Sequence, residues 1–202
     1  MKKRALITIA GMGAILYFVS TWQSQPYMSA AAPQQASPKA ALAPVANDPP
    51  LGFSVMQAPQ KLTIPSLNIV STILPVGREA NNEMSLPDSL TDSGWYKDGI
   101  APGNPGKSVI AAHTGYPDNP SQFRKLEQLQ PKDTFSVTDI AGNVAEFEII
   151  QKAAYRPEEA PLTSIFGDSP TPRLALITCA GEWQPASESY THRLVIFAVR
   201  HK

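Results

Sequence analysis

The sequence predicts a mainly β domain, a sandwich or a closed barrel, that follows an N-terminal membrane segment and a linker. Three observations predict this order: short β-branched runs recur through residues 61–202, residues 5–22 are apolar and uncharged, and residues 23–60 are rich in Ala, Pro, Gln and Ser. The 17 Lys and Arg balance the 17 Asp and Glu, but residues 1–60 carry a net charge of +3 and residues 61–202 one of −3. The formal net charge of zero argues against a nucleic-acid-binding protein.

Residues 1–22 are predicted to be a signal anchor. Lys2, Lys3 and Arg4 precede 18 uncharged residues that end at Trp22, a length at the short end of what spans a bilayer. The basic residues would hold the N-terminus in the cytoplasm and place the rest of the chain outside. One alternative is a secretory signal peptide cleaved near Ala30-Ala31-Ala32, and another is a buried core helix. With either a signal anchor or a cleaved signal peptide, the folded domain is extracytoplasmic, and it is secreted if cleavage occurs.

Residues 23–60 are predicted to be a linker. Seven of the 20 prolines lie there, and the segment shows no apolar period with which it could bury surface. A Pro-rich composition is typical of a semi-extended spacer. We therefore expect folded structure to begin near Lys61 and to continue to residue 202.

The remaining 142 residues read as strands separated by turns. Alternating or continuous apolar runs predict strands at residues 62–64, 67–76, 107–113, 133–138, 144–151, 173–178 and 193–200. Ala141-Gly142-Asn143 predicts a hairpin turn. Only residues 121–129 have a helical pattern, with Ser121 as the expected N-cap.

Cys179 is the first candidate for chemistry. As the only cysteine it excludes an intramolecular disulfide and a thiolate-only metal cage. It follows the apolar run 174–178 and precedes Ala180-Gly181, so we expect it at a strand end that a substrate can reach. The alternative is a buried, inert thiol, since free cysteine is among the most buried residue types. Export to an oxidising compartment favours the reactive thiol.

A cysteine nucleophile needs a group that favours its thiolate and donors for an oxyanion. Of the three histidines, His113 ends the predicted strand at residues 107–113, whereas His192 and His201 flank the last strand. His201 lies one residue from the C-terminus and is a poor candidate. Arg193 is predicted to open the last strand, where it is either an oxyanion donor or an ordinary solvated edge residue.

In combination these residues resemble the sortase family across most of residues 61–202. Ala175-Leu-Ile-Thr-Cys179 is similar to the Thr-Leu-x-Thr-Cys motif, with Ala175 in place of its first Thr. Ala-Ala-His113-Thr-Gly is similar to the catalytic-histidine strand, and Arg193-Leu-Val-Ile-Phe-Ala to the arginine strand. Residues 94–96, 102–106, 176–181 and Tyr190 resemble the actinobacterial-type branch called class F.

The resemblance implies an eight-stranded barrel with one or two short helices, and a transpeptidase that acts on a C-terminal sorting signal of Leu-Pro-x-Thr-Gly type. Cys179 would form a thioacyl enzyme, His113 would act as acid and then base, and Arg193 would bind the carbonyl or oxyanion. Thr178 and Thr114, which adjoin them, are the expected substrate-binding residues. The implied partners are exported proteins and a cell-wall amine acceptor. No cofactor is required, and no acidic loop suggests calcium.

Two other classes of protein remain alternatives. L,D-transpeptidases place His just before Cys, whereas 66 residues separate His113 from Cys179, and papain-like wall peptidases place Cys before His. A non-enzymatic anchored β-domain would bury Cys179 and keep it inert to thiol reagents. Trp95, Tyr96, Trp183 and Tyr190 could border a signal-binding groove, although aromatic residues near barrel loops commonly just pack.

Overall fold

The computed structural model describes residues 54–201. The predicted membrane segment at residues 1–22, and the predicted linker as far as residue 53, lie outside the described residues. Between residues 54 and 201, no helix is both long and apolar enough to cross a membrane.

Eight strands close into a barrel. They are β1 Pro59–Ile64, β2 Ile69–Val76, β3 Ser93–Tyr96, β4 Gly106–Ala111, β5 Thr134–Asp139, β6 Val144–Tyr155, β7 Pro172–Gln184 and β8 Ser189–Arg200. Their order around the barrel is β1-β2-β3-β4-β7-β8-β6-β5, and β5 pairs with β1 to complete it. The pairs β2/β3 and β4/β7 are parallel, and the other pairs are antiparallel. The predicted mainly β fold and closed barrel are confirmed.

Within residues 54–201 the helices are short. One α-helix, α1 Leu162–Phe166, lies between β6 and β7, and 3₁₀ helices occupy Pro65–Leu67, Gln122–Gln128 and Pro157–Glu159. The predicted helix at residues 121–129 is thus a 3₁₀ helix. Its predicted cap is confirmed, because the Ser121 hydroxyl accepts a hydrogen bond from the Phe123 N–H at 3.1 Å. The predicted turn at residues 141–143 joins β5 to β6, with Gly142 at a φ of 86°.

Alternation along the strands sorts apolar side chains between the barrel interior and its outer face. The interior includes Phe135 and Phe147, which are paired across β5 and β6 and stack with their centroids 5.4 Å apart. A second cluster lies on the outer face of β4, β7 and β8, where Ile165 of α1 covers Ala175 and Val195. The outer face of these three strands is therefore partly covered by α1. The candidate site lies on the same face.

The fold begins before Lys61, where the domain was predicted to start. Met56 is only 3% exposed and belongs to the barrel core. The Asn104 side chain bonds both its N–H and its carbonyl, each at 2.8 Å. One residue later, the Gln57 N–H donates to the buried Asp139 carboxylate at 2.8 Å. Residues 56–60 therefore belong to the domain rather than to the linker.

Candidate active site

Strand register brings the three predicted catalytic residues into one row. β4 and β7 run parallel with Ala111 opposite Ile177, and the Ala112 N–H continues this ladder by donating to the Ile177 carbonyl at 3.0 Å. His113 follows β4, two residues after Ala111, and it lines the same cleft as Cys179. On the other side of β7, Cys179 is directly opposite Arg193 of β8. Neighbouring strands are about 4.8 Å apart. Cys179 of β7 therefore has Arg193 of β8 on one side and, on the β4 side, the chain that leads into His113.

These side chains lie on the outer face of the barrel. Along β7 the alternate residues Leu174, Leu176 and Ala180 belong to the interior core, which leaves the odd-numbered residues outside. Cys179 is half-buried rather than enclosed. It was expected at the end of its strand, but β7 continues to Gln184. Arg193 was expected to open β8, yet that strand begins at Ser189. The thiol is reachable because its alternating position faces outward, and not because the strand ends there.

A cleft of about 350 Å³ contains Cys179 and His113. Its other lining residues come from the chain after His113, from the β2–β3 connection and from the β7–β8 hairpin. They are Thr114, Gly115, Tyr116, Leu86, Asp88, Leu90, Trp183, Glu188, Ser189 and Tyr190. Of the four aromatic residues considered for a groove border, Trp183 and Tyr190 line the cleft, whereas Trp95 and Tyr96 are buried in core clusters. Leu86, Asp88 and Leu90 were not anticipated, because they belong to a loop without a motif.

The electrostatics of the thiol have two opposing contributions. Burial raises the pKa of Cys179 above its ordinary value, and the positive charge of Arg193 offsets part of that rise. The arginine side chain is held in turn by its own strand, since Nη1 donates to the carbonyls of Tyr190 and His192 at 3.0 and 3.1 Å. Nη2 donates to the Ser189 hydroxyl at 3.3 Å. The guanidinium is thus fixed beside the cleft by the β7–β8 hairpin.

The two predicted substrate-binding threonines are placed differently from each other. Thr114 lines the cleft, although it is only 4% exposed. Thr178 is 3% exposed, and its hydroxyl donates to the Ala112 carbonyl at 2.8 Å. That hydrogen bond ties β7 to the residue before His113, on the barrel side opposite the Cys179 side chain. The location of Thr178 suits a structural tie and leaves its hydroxyl out of reach of a substrate in the cleft.

Glycines shape the chain next to two site residues. Gly115 follows Thr114 at a φ of 80°, and a Cβ there would collide with the backbone of Asn119 and Ser121. Gly181 has a φ of 81° within a β-bulge that lies between Ala180 and Trp183 of β7. Bulges change the direction in which the following side chains point, and Trp183 after this one faces the cleft.

The arrangement suits acyl transfer. A half-buried thiol with a histidine on one side and a fixed cationic donor on the other is the type of site used by cysteine acyl-transfer enzymes. Among residues 54–201, no group of three His, Cys, Asp or Glu side chains is arranged to hold a metal ion.

The chain belongs to the sortase family, because the family model for the sortase domain matches residues 62–201. It is accordingly a cysteine transpeptidase. A search of curated protein sequences finds no significant match.

Solved sortase structures share the fold. Sortase C-1 from Actinomyces oris is 25% identical, with 70% of this chain and 73% of that chain covered at a TM-score of 0.56. A lid mutant of sortase A from Corynebacterium diphtheriae is 22% identical, with 74% and 73% covered and a TM-score of 0.56. Sortase C from Clostridium perfringens is 20% identical, with 73% and 72% covered and a TM-score of 0.52.

Proposed function

We propose that this transpeptidase cleaves a C-terminal sorting signal of Leu-Pro-x-Thr-Gly type on exported proteins and transfers the new carboxyl end to an amine of the cell wall. The observation that carries the proposal is the pairing of Cys179 with Arg193 across β7 and β8, with His113 lining the same cleft as the thiol. The cleft that contains the thiol and the imidazole supports it, because it is open to an extended peptide on the outer face of the barrel.

The proposed reaction has two acyl transfers. The Cys179 thiolate attacks the carbonyl carbon of the signal threonine, and the C–N bond to glycine breaks as His113 protonates the departing amine. The resulting thioester is then attacked by the acceptor amine, whose proton passes to His113. Collapse of this second adduct forms the new amide bond and returns the thiolate. No redox partner or cofactor enters this balance.

Arg193 is the proposed oxyanion donor. A guanidinium carries five N–H groups, and its hydrogen bonds to Tyr190, His192 and Ser189 use three of them. The remaining N–H groups suit an oxyanion that develops above Cys179, because they belong to an always-charged planar fork that the hairpin already holds in place. The same charge favours the thiolate over the thiol.

Burial works against the thiolate. Since the pKa of Cys179 is raised, most of the enzyme holds a neutral thiol at pH 7. We therefore expect slow turnover near neutrality, and a rate of alkylation by iodoacetamide that increases with pH through the alkaline range. Thr114 is the proposed substrate contact in the cleft, whereas Thr178 supports the backbone before His113.

The cellular setting is also a proposal. Residues 5–22 would anchor the chain in the cytoplasmic membrane, with the N-terminus inside and the catalytic domain outside. The resemblance of residues 94–96 and 102–106 to class F supports membership of that branch. Extraction of cell membranes at alkaline pH tests the anchor: a retained anchor stays with the lipid, whereas a cleaved signal peptide releases the protein.

Transfer can be tested with the full-length chain in detergent. A Leu-Pro-x-Thr-Gly peptide panel is incubated with the enzyme and hydroxylamine, and the hydroxamate product is followed by mass spectrometry. We expect no product from Cys179→Ala or His113→Ala, and about a 100- to 1000-fold loss of kcat in Arg193→Lys, since one oxyanion donor is commonly worth that much. His201→Ala is the matched histidine control and should retain activity. A Cys179→Ala variant that still cleaves the signal would refute the proposal.

A further inference from the structure

Three aromatic side chains form one wall of the catalytic cleft. Tyr116 comes from the loop after His113, and Trp183 and Tyr190 are paired across the β7–β8 hairpin. The Trp183 ring meets Tyr116 edge to face at a centroid distance of 5.7 Å and Tyr190 at 5.1 Å. The wall therefore joins the strand end that carries His113 to the hairpin that carries Cys179 and Arg193. We call Tyr116, Trp183 and Tyr190 the aromatic wall.

Arg124 fastens this wall from outside the cleft. Its Nη2 donates to the Tyr116 carbonyl at 2.9 Å and to the Tyr190 hydroxyl at 2.5 Å. The guanidinium also lies 5.8 Å from the centroid of the Tyr190 ring, within range of a cation–π interaction. The Arg124 side chain thus contacts both ends of the aromatic wall, Tyr116 and Tyr190.

The element that carries Arg124 is firmly attached to the barrel. The 3₁₀ helix Gln122–Gln128 is capped by Ser121, whose hydroxyl also donates to the Leu90 carbonyl at 2.7 Å. Phe123 and Leu126 are each 1% exposed in the barrel core. Arg124 therefore projects from a fixed base toward a hairpin whose end, at residues 185–188, lies beyond the paired strands.

Tyr190 connects this contact to the proposed oxyanion donor. Its side chain accepts the hydrogen bond from Arg124, and its backbone carbonyl accepts one from Arg193 Nη1 at 3.0 Å. A displacement of Tyr190 would therefore move an acceptor that holds the Arg193 guanidinium beside Cys179. Ser189, the residue before Tyr190 in β8, also accepts a hydrogen bond from Arg193.

We propose that Arg124 is a positioning residue for the transpeptidase reaction. Arg124 holds the aromatic wall together and, through Tyr190, keeps Arg193 beside Cys179. The inference rests on the proposed roles of Arg193 and Cys179, and it adds a residue that touches neither the substrate nor the reacting atoms. Removing a side chain that makes these two hydrogen bonds and a ring contact should lower the rate about 5- to 30-fold. This factor corresponds to the loss of one or two ordinary interactions.

The first test compares Arg124→Gln with Lys125→Gln in the hydroxylamine assay, using a Leu-Pro-Glu-Thr-Gly peptide and the full-length chain. Lys125 is the next cation on the same 3₁₀ helix and is exposed, so it is the matched control. We expect kcat/KM to fall about 5- to 30-fold in Arg124→Gln and to stay near that of the unmodified enzyme in Lys125→Gln. Arg124→Lys, which keeps the charge and one donor, should recover part of the loss.

Tyr190→Phe removes the hydroxyl and keeps the ring. If Arg124 acts through Tyr190, adding Tyr190→Phe to Arg124→Gln should cost little more than Arg124→Gln alone. Losses that multiply in the double variant would overturn this route. Equal kcat/KM values for Arg124→Gln and Lys125→Gln would overturn the proposal as a whole.

A second readout does not depend on the signal or the acceptor. The charged groups and phenols around the thiol are those of His113, Arg193, Asp88, Glu188, Tyr116 and Tyr190. Of these, Arg193 is the one that lowers the pKa of Cys179, so a displaced Arg193 should move the pH profile of iodoacetamide alkylation to higher pH. We expect Arg124→Gln to shift that profile in the same direction as Arg193→Gln, and by less.

The two readouts separate the proposals. If no peptide is cleaved but the alkylation profile shifts in Arg124→Gln, the proposed signal is wrong and the positioning role stands. A loss of melting temperature in Arg124→Gln without any shift of the alkylation profile would show a merely structural role and overturn the positioning role.

Discussion

Asp139 offers a quantitative test of how the N-terminal entry to the barrel is held. Its carboxylate is 0% exposed and accepts four hydrogen bonds. Oδ1 accepts from the N–H groups of Ala141 and Asn143 at 2.9 and 2.8 Å, which closes the β5–β6 turn. Oδ2 accepts from the Gln57 N–H at 2.8 Å and from the Asn143 amide at 2.9 Å. The carboxylate thus joins the segment before β1 to the β5–β6 hairpin.

Asp139→Asn replaces one oxygen by an NH₂ group in either orientation of the amide, so two donors lose an acceptor. The Asn143 amide can turn and recover one of them, which leaves the Gln57 N–H without the Asp139 acceptor. A hydrogen bond to a charged group contributes about 1.5–3 kcal/mol, and the surviving bonds lose the strength given by a charged acceptor. We therefore expect the free energy of unfolding to fall by about 2–4 kcal/mol at pH 7.

The direction in which stability changes with pH follows from the pKa of Asp139. Burial, the largest single influence, raises the pKa of Asp139, but the hydrogen bonds from Gln57, Asn143 and Ala141 together outweigh it and hold the pKa below its usual value. A depressed carboxyl pKa contributes stability above the unfolded pKa of about 3.9, and this stability is lost as the pH falls through the folded pKa. The difference between the unmodified protein and Asp139→Asn should therefore shrink below about pH 4.

Urea unfolding followed by far-UV circular dichroism, at pH 7 and at steps down to pH 3, measures this difference. Asp133→Asn is the control, because its carboxylate accepts one bond, from the Gln130 N–H, at a more exposed site. That variant should lose less than about 1 kcal/mol. Equal losses in the two variants, or a difference that widens on acidification, would refute the reasoning.

Three further predictions concern stability and the histidine strand. A chain that starts at Lys61 should have a free energy of unfolding in urea about 4 kcal/mol lower than one that starts at residue 54, because it lacks the buried Met56. Equal urea midpoints for the two chains would contradict this. Ser108→Ala should stabilise the protein by about 1 kcal/mol, since the buried hydroxyl has no partner among the described residues; a lower melting temperature would count against it. Thr178→Val should cost about 1 kcal/mol and also lower kcat, because the lost bond holds the backbone before His113; unchanged kcat would reject that role.

The candidate site was predictable in its residues and less so in its geometry. Cys179, His113 and Arg193 could be chosen because few residue types can act as nucleophile, acid–base and oxyanion donor, and each adjoins an apolar run. The reason given for the accessibility of Cys179 was wrong, since β7 extends five residues past the thiol. Glycine and polar residues after Cys179 read as a strand end, although pairing with β8 continues the strand through a bulge.

Residues without a motif were missed for a different physical reason. Arg124 lies on a short helix and looks like an ordinary solvated cation, yet it contacts Tyr190, 66 residues further along the chain. Met56 reads as part of a Pro-rich spacer, and only Asn104 and the barrel core explain its burial. Such contacts depend on which elements meet in space, and local sequence patterns do not encode that.

The sequence by itself determined the alternation that makes the strands, the turn at residues 141–143, the cap at Ser121 and the identity of the reactive groups, because these depend on neighbouring residues and on side-chain chemistry. Only the tertiary structure decided the register of β4, β7 and β8. A shift of one residue would turn a side chain to the opposite face, so this register alone sets Cys179 outward between His113 and Arg193 and turns Thr178 inward.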